Sequence, residues 1–336
     1  MLKKNTLRKA GLTMKKILIV IFVTILFLSG CAQTAVNQES GSEKETQATA
    51  TDKETESTSA ATLQPTVEPT AKQTEEKTEI KEVDLGALEG LFGFADGSGK
   101  KLMTLESENI HTLANPEAFD TAIGNNGETV RIKYVKRQEA NSKDTLRQTS
   151  QNFDNMAGYI YEVQGGELVP DKTYLLSKST VVSEDALIKL KSTRNTGSEG
   201  GYYQKVDANT LKKIETAKDR KVIDSSLLAE TEDKAKICMV VFERIDDGML
   251  ASIAYVKDDK VVFKDYPAKY DEQSTWRVDA GDRPGLFGAL FLANSNEGLL
   301  LGLTWAGPEG ENVFILKDVK GALEETGLKS GRYWSP

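Results

Sequence analysis

Ile237-Cys238-Met239-Val240-Val241-Phe242, followed by Glu243-Arg244-Ile245-Asp246-Asp247-Gly248 and then Met249-Leu250-Ala251-Ser252-Ile253-Ala254-Tyr255-Val256, decides the fold of this chain. β-Branched and aromatic side chains crowd both apolar runs, and each run has the length of a buried strand rather than of a helix. Asp246-Asp247-Gly248 supplies the turn between them. A second turn, Asp258-Asp259, leads into Lys260-Val261-Val262-Phe263, so residues 237–263 are predicted to form a three-stranded antiparallel meander. The four turn aspartates invite a metal reading, but successive turns of a meander lie at opposite ends of the sheet, which separates them.

Toward the C-terminus, residues 286–293, 299–305 and 313–316 read as strands, the first two apolar on both faces and therefore central. Residues 318–326 are expected to form a last short helix closed by Gly327. Toward the N-terminus, Gly90-Leu91-Phe92-Gly93-Phe94 and Leu102-Met103-Thr104-Leu105 flank the turn Asp96-Gly97-Ser98-Gly99 and predict a β-hairpin. The stretch from Asp96 to Ser107 fails as a calcium loop, because Lys100 and Lys101 fall where a ligand and a glycine are required and Ser107 replaces the closing Glu. Asn115-Pro116-Glu117 has the chemistry of a helix start, with Gly124 ending that helix about two turns later. Asp207-Ala208-Asn209-Thr210 caps another, with Leu211 and Ile214 on its apolar stripe. Ser183-Glu184-Asp185-Ala186-Leu187-Ile188 suits a helix or a strand. The fold class expected is α+β, mainly antiparallel β-meanders with a few short helices.

At the other extreme of the chain, Lys15 and Lys16 precede twelve uncharged residues, 17–28, fewer than the roughly 20 that cross a bilayer. Leu28-Ser29-Gly30-Cys31 follows directly. This arrangement resembles the signal peptide and lipobox of bacterial lipoproteins. The resemblance covers the leader alone and implies cleavage before Cys31, lipid on its thiol and retention on the outward face of the cell membrane. Two acyl chains are expected, because one gives only marginal, reversible binding.

Residues 32–82 contain no aromatic side chain and eleven threonines, too little apolar surface to offset the entropy of ordering them, and predict a disordered tether. The domain plan is then a leader over 1–30, Cys31 and the tether over 31–82, a β-rich lobe over 83–197 and an α+β lobe over 198–336, the last two also readable as one domain. The leader carries six Lys or Arg and no acid, so its removal takes the net charge from −8 to −14. That balance argues against binding nucleic acid or other polyanions.

With Cys31 lipidated, Cys238 is the remaining thiol and no disulfide forms within one molecule. Its apolar surroundings mark it as a small core hydrophobe. His111 is the only histidine, which disfavours both an activated nucleophile and an imidazole zinc site, and no cofactor or metal is called for. The richest group of recognition side chains lies in the connection over 264–284: Tyr266, Tyr270, Trp276, Arg277, Asp279, Asp282 and Arg283. Aromatic rings there could stack on a sugar or peptide while the charged groups hydrogen-bond it, against the plainer role of capping the core. Three function classes follow. A binding or interaction module at the envelope, meeting cell-wall glycan or an envelope protein, ranks above a hydrolase acting on glycan or peptide and above a structural component of a surface complex.

Overall fold

The computed structural model describes residues 81–105, 112–194, 203–270 and 286–334, all within one compact unit, Gln73–Pro336. Six antiparallel strands form the first part: β1 (Leu91–Ala95), β2 (Lys101–Thr104), β3 (Thr121–Gly124), β4 (Glu128–Gln138), β5 (Gly158–Val163) and β6 (Thr173–Ser177). They close into a barrel in the order β1-β2-β5-β4-β3-β6. The β1–β2 turn is tied by the Asp96 carboxylate, which accepts from the backbone N–H groups of Lys100 and Lys101. Leu91, Ala95, Leu102, Tyr161, Tyr174 and Leu176 fill the inside. The space is tight enough that a Cβ on Gly93 would fall 2.5 Å from Leu102 Cδ2, which is why glycine stands at the middle of β1.

The second part is a ten-stranded sheet. Its strands are β7 (Leu187–Ile188), β8 (Leu190–Ser192), β9 (Val222–Thr231), β10 (Lys236–Phe242), β11 (Gly248–Lys257), β12 (Lys260–Lys269), β13 (Phe287–Ser295), β14 (Gly298–Ala306), β15 (Gly310–Val319) and β16 (Ala322–Tyr333). β9 to β12 form one meander and β13 to β16 another. The two meet in parallel through β12 and β16, where the ladder is a single pair, Phe263 with Ala322. At the other margins β7 pairs with β13 and β8 with β9. Only Lys189 separates β7 from β8, so one short stave joins both margins and brings the sheet round into a second barrel.

Alternation sorts the side chains of this barrel. Ile237, Met239, Ile253, Tyr255, Val262, Leu301, Leu303 and Leu316 point inward. Cys238, Val240 and Phe242 point outward, under helix α1 (Ala208–Lys218), where they meet Ile214 and Val206. On the opposite side, Leu290, Phe291, Leu300, Val313 and Ile315 pack against Phe92, Phe94, Met103, Ile160 and Leu175 on the outside of the first barrel. The meander strands are continuous apolar runs for this reason: helix or barrel covers one face and the barrel interior the other.

The α+β expectation is overturned. Strands take 54 % of the described residues and helices 9 %, with one α-helix, so the fold is β-rich. The expected helix after Asn115 is a single 3-10 turn, Pro116–Ala118, and β3 follows at once, sending Ala122 inside the barrel and Ile123 to its outer face. The expected helix at 318–326 is the β15–β16 hairpin. Lys320 and Gly321 both take left-handed backbone, at φ 51° and 92°, which suits a two-residue hairpin loop and not a right-handed helix. The segment from Ser183 resolves into a 3-10 turn, Glu184–Ala186, and then β7. Only α1 unites a working cap with an apolar stripe: the Asp207 carboxylate accepts from the N–H groups of Asn209 and Thr210, both at 3.1 Å.

Candidate functional site

The second barrel has two unlike ends. The β9–β10, β11–β12, β13–β14 and β15–β16 turns lie at one of them, and there Val83 is tied to β13, donating to Asn294 O at 2.8 Å and accepting from Asn296 N–H at 3.0 Å. The opposite end, the distal rim, collects the start of β9, the β10–β11 and β14–β15 turns, the end of β12, the start of β13 and the end of β16.

Exposed apolar side chains concentrate on that rim. Large hydrophobics exposed among the described residues are Val135 and Val169 on the first barrel, and Leu146, Ile223, Ile245, Tyr270 and Tyr333 on or beside the rim. Leu146 reaches it through the loop that adjoins β16: Gln148 and Tyr333 exchange two hydrogen bonds, and the Arg147 guanidinium lies 4.4 Å from the Tyr333 ring centre. Leu146 is 73 % exposed and sits at φ 60°, backbone that a bulky side chain rarely adopts. Asn152, buried at the loop's centre, enforces it by donating to Asp144 Oδ1 and Arg147 O and accepting from Thr145 N–H. An exposed leucine held in strained backbone by a buried amide has no packing role to explain it.

Within the rim, Tyr266 on β12, Phe287 on β13 and Trp305 on β14 form an aromatic row, with ring centres 6.0 Å and 6.4 Å apart. Trp305 is also part of the wall of a cleft of about 390 Å³ with Gln148, Glu309, Glu311, Asn312, Arg332 and Tyr333. Arg332 anchors the wall. Its side chain is 6 % exposed, with Nε 3.6 Å from Glu311 Oε1 and Nη1 3.9 Å from Asp171 Oδ1, while Nη2 donates to Asp171 O. The guanidinium stands 5.4 Å from the Phe94 ring and 5.0 Å from the Trp334 ring. Burial lowers its pKa, and the Glu311 and Asp171 carboxylates oppose that shift, so Arg332 stays a cation and clamps the two barrels together.

Of the side chains singled out in the sequence, Tyr266 and Tyr270 are both brought to the rim. Tyr270 lies under the Arg244 guanidinium, 3.9 Å from its ring centre, and its N–H donates to Asp247 O. Trp276, Arg277, Asp279, Asp282, Arg283 and Cys31 lie outside the described residues, as do His111 and the tether to Ile80. The turn aspartates separate as expected, Asp246 and Asp247 at the distal rim and Asp258 and Asp259 at the other end. Among the described residues no cluster of His, Cys, Asp or Glu is placed to hold a metal ion, and no helix is long and apolar enough to cross a membrane. Sequence reasoning missed Trp305, Asn312, Arg332 and Gln148, which are scattered over three strands and a loop. The available signal was Trp305 closing an apolar strand just before the Gly307-Pro308-Glu309-Gly310 turn. The chain matches no protein-family model, no curated protein and no solved structure.

Proposed function

We propose that this chain is a lipid-anchored, extracytoplasmic interaction module of the bacterial cell envelope, held by Cys31 and presenting the distal rim to its partner. The observation that carries the reading is the placement of Leu146, Ile223, Ile245, Tyr270 and Tyr333 at the end of the second barrel opposite the Val83 attachment. Exposed apolar groups collected on one face of a soluble domain mark interaction sites, whereas scattered ones carry no meaning. The leader supports the anchor, because a basic segment, a short apolar core and Leu28-Ser29-Gly30-Cys31 occur in the order that lipidation requires.

Two measurements test the two halves of the proposal. Cys31→Ser is expected to release the protein from membranes that retain the wild type, and equal retention of both would defeat the anchor. A photo-crosslinking side chain at Ile245 is expected to give defined adducts in cells, and one at Val135 on the first barrel none. The same adducts from both positions would remove the rim from consideration.

A further inference from the structure

We propose that the rim cleft is a saccharide site, taking an uncharged, hydroxyl-rich ring system against Trp305. This rests on the reading of the rim as a binding face and is independent of the lipid anchor. Its volume, about 390 Å³, falls within the range of small-molecule sites, about 300–1,000 Å³.

Unspent hydrogen-bonding groups point to the ligand chemistry. The Asn312 amide and the Glu309 carboxylate, both on exposed residues, have no partner among the described residues. Gln148 Oε1 accepts from the Tyr333 N–H at 2.6 Å, which fixes the side chain and leaves its NH₂ group as a positioned donor. A carboxylate acceptor, an amide of both kinds and the Gln148 donor in one cleft wall with an aromatic ring match vicinal hydroxyl groups, each of which donates and accepts, above the apolar face of a sugar.

Among the described residues, charge disfavours the alternatives. An anionic ligand would meet Glu309 unpaired and Glu311 already engaged by Arg332 and Thr173. A cationic one would meet the Arg332 guanidinium in the wall and Arg147 over the Tyr333 ring. A neutral ligand meets neither repulsion, and the unpaired Glu309 carboxylate makes a charge-assisted hydrogen bond to one of its hydroxyl groups.

The test uses the full-length Cys31→Ser protein and titration calorimetry with cellotriose and tri-N-acetylchitotriose, alongside a chitosan trisaccharide as the cationic counterpart and an oligo-uronate as the anionic one. At least one neutral trisaccharide is expected to bind, with Asn312→Ala and Glu309→Gln each weakening it about tenfold at unchanged melting temperature. Both replaced residues are exposed, so the variants fold. Binding of neither neutral sugar, tighter binding of either charged one, or binding indifferent to both substitutions overturns the inference. If Ile245 still crosslinks a protein while the sugars fail, the rim survives as a docking face and the saccharide site alone is lost.

Discussion

Phe291 lies against the backbone of Gly302 so closely that a Cβ there would come 2.4 Å from the ring. The two residues face each other on β13 and β14, on the outer face of the second barrel where it packs against the first. Gly302→Ala is therefore expected to force the Phe291 ring out of the joint between the barrels and to cost about 1–3 kcal/mol. Thermal unfolding reads this directly. A variant that melts with the wild type would show that the ring moves freely and that the joint is loose.

Phe242, 2 % exposed, packs beside Val240 and Cys238 beneath α1. Phe242→Ala should cost about 3–5 kcal/mol in denaturant titrations, the range for a fully buried ring. A loss below about 1 kcal/mol would mean that α1 does not cover β10.

Burial pushes the Cys238 thiol from 9.0 up to about 12. A thiol whose pKa is raised by folding adds nothing to the pH dependence below the unfolded value. Above it the unfolded chain ionises first, so this contribution to stability falls between about pH 9 and pH 12. Cys238→Ala should flatten that part of the stability curve, and the native thiol should resist disulfide reagents at pH 8 until denaturant is added. Rapid labelling of the native protein would contradict both.

The Lys236 ammonium, 2.6 Å from Asp207, holds that carboxyl well below the usual carboxylate range, with the Thr210 hydroxyl and N–H adding to the effect. Its lowered pKa contributes stability that is present above about pH 4 and is lost as the pH falls through the lowered value. Asp207→Asn keeps the helix cap and should remove only this acid-sensitive part. Asp207→Ala removes the cap as well, for about 1 kcal/mol more at neutral pH. Equal losses from the two variants would assign the whole effect to the ion pair.

Leu146→Gly is expected to leave stability unchanged or to raise it by up to about 1 kcal/mol, since glycine takes φ 60° without strain. Crosslinking from the rim should weaken in the same variant. A drop in melting temperature would assign Leu146 to the loop's own packing.

Much of the β architecture could be read from residues 237–263, where alternating burial on two covered faces leaves long apolar runs and the aspartate turns set their ends. The helices were misjudged wherever a cap-like residue stood alone. Asn115 has the side chain of a helix start and Gly327 the backbone freedom of a helix end, but Thr121–Gly124 and Ala322–Tyr333 carry β pairing, and Lys320-Gly321 uses left-handed backbone that sequence chemistry alone assigns to several kinds of turn. The cleft was less legible still. Trp305, Asn312 and Arg332 become neighbours through the registers of β14, β15 and β16, and Gln148 joins them only because a loop of the first barrel pairs with Tyr333. The connection over 264–284 drew attention by its composition, yet its first residues are the end of β12, and Tyr266 there extends the aromatic row toward Trp305.

The stave that closes the second barrel is made before either meander. Leu190 waits roughly forty residues for Thr231, but Ile188 waits roughly a hundred for Leu292. During folding the stave can therefore zip onto β9 early and must keep its other edge unpaired until β13 is in place. Contacts this distant in sequence slow folding, and a bare strand edge recruits foreign strands. A chain cut anywhere between β9 and β13 has half a ring with its margin open, and is expected to aggregate where the full chain does not.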